Sequence, residues 1–259
     1  MTLSFEEKQI LITVKAYPNP SKKYVETVCT VGVDLKENKL IRLYPIPFRD
    51  LEINKKFKKY DIIKASVTKA KDDTRPESFK VDCESINVIS HLGTKQGWND
   101  RKKHILPLVD KSMCEIERKC DAQDISLGIF KPRRNIEISW ESVSQTWKPG
   151  VQERYDQLTI FNPRKEVLDK IPYLFRYKYY CQNEPDCRGH NQCIVDWEIG
   201  EAYRSWKQKY KEEEKTLEMI KNKWGKELFA EDRDTYLFVG NQHQYKTFMV
   251  IGIFWPPRA

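Results

Sequence analysis

The residues best suited to chemistry lie together between Cys181 and Glu198. This stretch holds three of the seven cysteines, one of the four histidines and the carboxylates Asp196 and Glu198. Cys, His, Asp and Glu are the side chains that bind metals and transfer protons. Their types alone support two interpretations, a metal site and a hydrolytic site.

The first interpretation is a zinc site made of Cys181, Cys187, His190 and Cys193. Thiolates and imidazoles are preferred zinc ligands, and the last three residues are spaced so that one turn could wrap an ion. The spacing differs from the common pair of cysteines two to four residues apart. Because Cys193 falls on a predicted strand, it could instead be a buried thiol. Bound zinc and metal-free thiols both remain open.

The second interpretation is a catalytic site of His190, Asp196 and Glu198. Gly189 would open access to His190, and on a strand Asp196 and Glu198 would face the same side. Such a pair could share a divalent ion or act as acid and base. The competing structural interpretation is that both carboxylates cap a following helix. Glu198 is followed by Ile-Gly, so the carboxylate-x-lysine pattern of one large nuclease class is missing.

The charge of the chain favours nucleic acid as a partner. The net charge is +8, the isoelectric point is about 9.0, and aromatic residues make up 12%. Cations bind phosphates while rings stack on bases, and this mixture also occurs in ordinary strands. The candidate contact residues are Arg42, Tyr44, Arg49, Lys59, Arg176 and Lys178. No apolar run approaches the roughly 18–20 residues needed to cross a bilayer, and no signal segment is seen, so we expect a cytoplasmic protein without a membrane partner.

The first half of the chain has the pattern of a small β-barrel. Alternating or β-branched runs predict five strands, and an irregular or helical insertion separates the third from the fourth. The predicted strands are Ile10–Lys15, Glu26–Val33, Leu40–Tyr44, Tyr60–Val67 and Phe79–Ile89. Helical spacing follows from Trp98 to Cys120.

The second half predicts further strands and a long helix. The strands are expected at residues 125–134, 136–140, 157–161, 173–181, 192–198, 236–239 and 247–254. Between Tyr203 and Trp224, apolar residues recur at steps of three and four, interrupted only by Glu213, which predicts one long helix packed on the core. The fold class is therefore α+β, mainly β, with an OB-like domain over residues 1–145 that carries a helical insertion. An α+β domain over residues 146–259 carries the Cys/His/Asp/Glu cluster.

The chain resembles, almost end to end, a widespread set of bacterial proteins without an assigned activity, through stretches such as Ile41–Arg49 and Ile251–Pro257. Its first half also resembles the bacterial dual OB-fold proteins. The matching segments are Cys29–Gly32, Leu40–Pro45, Tyr60–Ile63 and the Glu77-Ser78 corner. This resemblance implies OB-like barrels, whose common use is binding single-stranded nucleic acid.

Two functions follow. The first is binding of single-stranded DNA or RNA, in phage defence or nucleic-acid processing. The alternative is a metal-dependent nuclease or base-modifying hydrolase that uses His190, Asp196 and Glu198.

Overall fold

The computed structural model describes residues 4–21, 25–123, 125–161, 169–242 and 245–258. It is a mixed α/β fold made mostly of strands, with helices in the C-terminal half. The N-terminal strands are β1 (Glu6–Lys15), β2 (Asn19–Ser21), β3 (Val25–Asp34), β4 (Lys39–Ile46), β5 (Asp61–Lys69), β6 (Ser78–Val81) and β7 (Asn87–His91).

Five of these strands close into a barrel. The order is β1-β3-β4-β6-β5, and β5 pairs back onto β1. All pairs are antiparallel except β4 with β6, which is parallel. Two short 3-10 turns, Phe48–Asp50 and Ile53–Lys55, fill the connection from β4 to β5. Alternate residues of β5 are buried, as expected for a strand with one face inside a barrel.

The barrel strands agree with the sequence pattern, with one exception. The predicted strand Phe79–Ile89 is two strands, β6 and β7, separated by the 3-10 turn Cys83–Ser85. The Asp82 carboxylate accepts a hydrogen bond from the Glu84 backbone N–H and so stabilises the turn. This local capping bond competes with the sheet and ends β6.

The rest of the chain supplies the remaining helices and strands. They are α1 (Lys95–Ile105), α2 (Met113–Gln123), β8 (Leu127–Phe130), β9 (Glu137–Ser142), α3 (Pro149–Phe161), β10 (Tyr173–Tyr179), β11 (His190–Cys193), α4 (Trp197–Tyr210), α5 (Glu213–Gly225), β12 (Tyr236–Gln242) and β13 (Tyr245–Phe254). Two antiparallel three-stranded sheets result, β11-β10-β9 and β13-β12-β8, joined by a bridge between Ile194 and Val250.

The predicted long helix is in fact two helices. The chain leaves α4 at Lys211, which has a left-handed backbone with φ of 57°. Glu213 and Glu214 then occupy the first turn of α5, where carboxylates stabilise a helix. The two helices pack together, and the Trp206 and Trp224 rings lie 6.0 Å apart. Glu213, the one polar residue of the apolar stripe, marks the break.

One other predicted strand is helical, and a second is shorter than expected. Residues 157–161 belong to α3, which starts at Pro149, a residue well suited to a first turn. The predicted strand over 192–198 ends at Cys193, and Trp197 begins α4. Within the described residues, no helix has the length and apolar character needed to cross a membrane.

Candidate functional site

Four potential metal ligands converge in the C-terminal half: Cys114, Cys181, Cys187 and His190. Their ligand atoms all lie within 4.8 Å of one another. The Cys114 and Cys181 Sγ atoms are 3.9 Å apart, and His190 Nε2 lies 3.4 Å from the first and 3.5 Å from the second. In a tetrahedral zinc site, bond lengths of about 2.3 Å to sulfur and 2.0–2.1 Å to nitrogen place ligand atoms roughly 3.5–3.8 Å apart. The cluster could therefore hold a metal ion.

Three different elements position these ligands. Cys114 lies in the first turn of α2, Cys181 and Cys187 flank the loop after β10, and His190 starts β11. The Glu184 carboxylate ties this loop to α2, because it accepts hydrogen bonds from Ser112 Oγ and Arg118, both at 3.1 Å. The loop is thus held against the helix that carries Cys114.

His190 is oriented from its other nitrogen and from its ring face. Its Nδ1 lies 3.6 Å from a carboxylate oxygen of Glu117, one helical turn beyond Cys114. Its ring stacks on Tyr179 with centres 5.2 Å apart, and 9% of its side chain is exposed. A carboxylate behind a ligating histidine fixes the tautomer and makes the ring a better ligand.

The protonation of the cluster reflects close packing of thiols and imidazole. Burial opposes ionisation of Cys187, yet the backbone N–H groups of Cys181 and Gly189 lower its pKa to about 7. Burial and the neighbouring Cys181 and Cys187 raise the pKa of Cys114 to about 12. Burial alone would lower the pKa of His190, but Cys181 and Glu117 raise it to about 10. The pKa shifts of His190 and Cys187 both favour the charged form of the side chain.

Cys193, the fourth ligand expected from the sequence, lies outside this cluster. It is three residues after His190 on β11, and positions three apart on a strand face opposite sides. It lines a cleft beside the barrel instead. Cys114 takes its place in the cluster, and its separation of 67 residues from Cys181 left no local spacing to detect.

The structure does not bring His190, Asp196 and Glu198 into one catalytic pocket. Asp196 is fully buried as the N-cap of α4, where its carboxylate accepts a hydrogen bond from the Glu198 backbone N–H at 3.1 Å. The Glu198 carboxylate pairs with Lys59 Nζ at 2.9 Å, and Asp196 lies 3.7 Å from the same ammonium group. Asp196 is therefore a helix cap and Glu198 a partner of Lys59, and the two carboxylates do not share one face of a strand.

This buried charge group shifts the pKa of its members. Burial raises the pKa of Asp196 to about 7, although Lys59 acts in the opposite direction. Burial opposes the charge of Lys59, but Asp196 and Glu198 together raise the pKa of this lysine. Lys59, expected at the nucleic-acid surface, has a side chain only 8% exposed and joins the barrel to α4.

Three other predicted contact residues have internal partners. The Arg42 guanidinium is buried and donates to the Ser126 hydroxyl and backbone carbonyl at 2.9 and 3.0 Å, and to the Asn241 carbonyl at 3.3 Å. Arg49 pairs with Glu26 at 3.0 Å, and Arg176 with Glu141 at 3.4 Å. Arg42 thus connects the barrel to β12, whereas Arg49 and Arg176 form ion pairs within their own halves.

Tyr44 and Lys178 are exposed as expected. Tyr44 is 43% exposed on β4, and its hydroxyl accepts a hydrogen bond from Thr27 Oγ1 at 3.3 Å. Lys178 is exposed on β10, between the buried Tyr177 and Tyr179. These two residues line different surface depressions.

Tyr44 stands at a cleft of about 510 Å³ between the barrel and the C-terminal strands. The barrel side supplies Asn19, Cys29, Arg42, Tyr44 and Arg75, and the other side includes Cys193, Val195, Gly240, Asn241, Gln242, Met249 and Ile251. A side chain at Gly240 would lie 3.1 Å from Ile251 and 3.4 Å from the Arg42 guanidinium, so glycine leaves room for this close approach.

Arg75 is fixed at the same cleft. Its guanidinium forms a bidentate pair with Asp73 at 2.6 and 2.8 Å and donates to the Asn241 backbone carbonyl at 2.8 Å. The Arg42 Nε atom is buried and has no hydrogen-bond partner within the part of the chain that is described. The cleft therefore combines an apolar lining, one exposed ring and two rigidly held cations. Sequence reasoning missed Arg75 and Asn241 as cleft residues, because they come together only through packing of the two halves.

Comparisons with known proteins give two matches, both to family models. The model described as domain of unknown function DUF8758 matches residues 6–107, which contain the barrel. No curated protein and no solved structure matches the chain. The model described as domain of unknown function DUF8757 matches residues 109–259, more than half of the chain, and includes all four residues of the cysteine–histidine cluster. The chain therefore belongs to the DUF8757 family, and its N-terminal part matches the DUF8758 model.

Proposed function

We propose that this protein binds single-stranded nucleic acid through the cleft of an OB-like barrel, and that its cysteine–histidine cluster holds a structural zinc ion. The observation that carries the proposal is the position of the cleft. It lies on β3 and β4 and beside the β5–β6 connection, with the exposed Tyr44 ring at its edge.

The strand order supports the OB-like assignment. Leaving out the short β2, the barrel strands follow the order first, second, third, fifth, fourth, with the fourth closing on the first and the third parallel to the fifth. This is the order of a five-stranded Greek-key barrel. OB-folds bind oligonucleotides on the second and third strands and on the loops that follow the first and fourth strands. Arg42 and Tyr44 lie on that third strand, and Asn19 and Arg75 lie in those two loops.

The lining of the cleft suits a nucleotide. An exposed aromatic ring stacks on any base, and cations beside it favour the phosphates. A volume of about 510 Å³ falls within the range of small-ligand sites and would admit one unstacked nucleotide. Arg42 and Arg75 already donate to the protein, so their contribution is a fixed positive field, while the Tyr44 ring is free to stack.

The zinc assignment rests on the donor set. Three thiols and one imidazole match a common structural zinc site, and four protein ligands complete a tetrahedron. A complete shell leaves no position for a substrate or an attacking water, so the ion would hold the loop after β10 to α2 rather than catalyse a reaction. One equivalent of zinc in purified protein is the expected result.

Binding is tested by fluorescence anisotropy with labelled single-stranded and duplex oligomers of the same sequence, in DNA and in RNA. We expect tighter binding of the single strand, weakening as salt rises because phosphate contacts release counterions. Tyr44→Ala should weaken binding by roughly 5- to 100-fold, the usual effect of losing one stacked base. Tyr210→Ala, on α4, is the matched control and should bind like the wild type. Failure to bind any oligomer at low salt, or equal binding by Tyr44→Ala, would contradict the proposal.

A further inference from the structure

A second depression of about 350 Å³ lies on the surface beside the cysteine–histidine cluster. Its lining residues are Asn135, Glu137, Lys178, Tyr179, Tyr180, Arg188, Gly189, His190 and Asn191. They come from the start of β9, the end of β10 and the start of β11, and Lys178 is in register with both Glu137 and Asn191. This depression, here called the β10 pocket, has no part in the barrel cleft.

An exposed aromatic ring forms one wall of the β10 pocket. Side chains alternate along β10, so that Tyr177 and Tyr179 are buried while Lys178 and Tyr180 face outward. Tyr180 is 46% exposed, an unusual position for so large a ring. Gly189 has φ of +87°, and a side chain there would lie 3.1 Å from the Tyr180 ring. A glycine is therefore required for the loop to close against this ring.

One cation faces the ring, and two more belong to the lining of the pocket. The Arg133 guanidinium lies 5.9 Å from the Tyr180 ring centre, and its Nε donates to the Cys181 carbonyl at 3.0 Å. Lys178 and Arg188 are exposed, and in the described part of the chain neither forms an ion pair within 4.0 Å. Glu137 is the single carboxylate among the lining residues. Unpaired cations at an exposed ring are complementary to a base with its phosphate.

We propose that the β10 pocket binds a second unpaired nucleotide of the strand whose other part occupies the barrel cleft. The base stacks on Tyr180, the phosphate lies against Lys178 and Arg188, and the amides of Asn135 and Asn191 reach the base edge. This inference rests on the proposed function but assigns a separate site. It also gives the cysteine–histidine cluster a role in recognition, because Cys181 follows Tyr180 directly and His190 follows Gly189.

The test combines crosslinking with affinity. Oligomers of DNA and of RNA, about 12 nucleotides long and carrying 5-iodouracil, are irradiated on the wild-type protein, and the crosslinked peptides are identified by mass spectrometry. We expect adducts on the peptide that contains Tyr180 as well as on the peptide that contains Tyr44. Tyr180→Ala should weaken binding at least roughly fivefold, and Tyr180→Phe should restore it because the ring alone stacks.

The charges are tested in the same assay. Arg188→Gln should lower the slope of log affinity against log salt by about 0.7, the value for one phosphate contact on a single strand. Lys221→Gln, an exposed lysine on α5, is the matched control and should leave the slope unchanged. Circular dichroism and zinc content show whether each variant is folded.

The two proposals fail in different ways. If the wild type binds and crosslinks at Tyr44, but Tyr180→Ala and Arg188→Gln behave like Lys221→Gln, the β10 pocket is not a nucleotide site and the barrel cleft stands. If no oligomer binds the wild type, both proposals are overturned. Adducts at Tyr180 together with loss of affinity in Tyr180→Ala support the second site, whatever the size of the Tyr44 effect.

Discussion

Replacing single cysteines with serine tests the metal site residue by residue. The substitutions are Cys114→Ser, Cys187→Ser and, as a matched control, Cys193→Ser. The first two remove a ligand from a cluster whose atoms lie within 4.8 Å of one another, and the third changes a cysteine that lines the barrel cleft. We expect one equivalent of zinc in the wild type and in Cys193→Ser, and loss of zinc in the other two variants.

The size of the effect follows from linkage between binding and folding. An ion present at about 1,000 times its dissociation constant stabilises the folded state by about 4 kcal/mol. In a chain of this length, each kcal/mol changes Tm by about 2–4 °C, so loss of the ion should lower Tm by about 8–16 °C. The effect should arise in the wild type on adding a chelator and should be nearly absent in Cys114→Ser, which has no ion to lose.

The assay is elemental analysis of protein purified with added zinc and passed through a desalting column, followed by thermal unfolding with and without chelator. Two results would refute the reasoning. One is a folded wild-type protein that takes up no metal after reduction and addition of zinc. The other is loss of zinc in Cys193→Ser with retention in Cys114→Ser, which would restore the ligand set expected from the sequence alone.

Three further predictions concern residues outside the ligand set. Glu117→Gln removes the charge behind His190 Nδ1 and should weaken zinc binding about 10- to 100-fold in a competition titration, while Glu115→Gln on the same helix should not. Burial raises the pKa of Asp196 from 3.8 to about 7, so the folded state holds this proton more tightly and the stability linked to it is lost as pH rises from about 4 to 7. Asp196→Asn keeps a capping oxygen, so its free energy of unfolding in urea should rise relative to that of the wild type across this pH window. If the two proteins show the same dependence of unfolding free energy on pH, the pKa of Asp196 is not raised. Arg42→Met should cost about 2 kcal/mol or more, because a buried charged donor with three acceptor contacts is lost, whereas Arg176→Met removes one partly exposed pair and should cost less than about 1 kcal/mol.

The barrel strands could be predicted from sequence because their side chains alternate over a single inner face. Residues of β5 are buried at every second position, and this alternation is visible in the sequence as a two-residue period. The helix break at Lys211 carried a weaker signal, the acidic run from Glu212 to Glu214 inside an apolar stripe. The apolar residues keep their steps of three and four across the break, so periodicity alone predicted one helix.

Three of the four residues of the metal cluster were predicted from the sequence, and the fourth could not be, for a physical reason. Cys181, Cys187 and His190 are close in sequence, and their residue types indicate zinc without reference to fold. The choice between Cys193 and Cys114 depends on which side of β11 faces α2, and this is decided by packing of Tyr177 and Tyr179 into the core. Local spacing contains no information about that packing.

Two cationic side chains were expected at a binding surface and lie elsewhere for the same reason. Arg42 and Lys59 were expected at a nucleic-acid surface because they occur near aromatic residues on or just before barrel strands, yet both face the C-terminal half. Arg42 reaches Ser126 and Asn241, and Lys59 reaches Asp196 and Glu198. Because the C-terminal half covers the barrel on this side, Arg42 and Lys59 join the two halves. Tyr44 lies on the part of the same face that stays exposed. A positive net charge therefore does not locate a binding surface, because a cationic side chain can be bound by a partner inside the protein. The Tyr44 and Tyr180 rings, which are 43% and 46% exposed, are the better guide to where a nucleic-acid strand would lie.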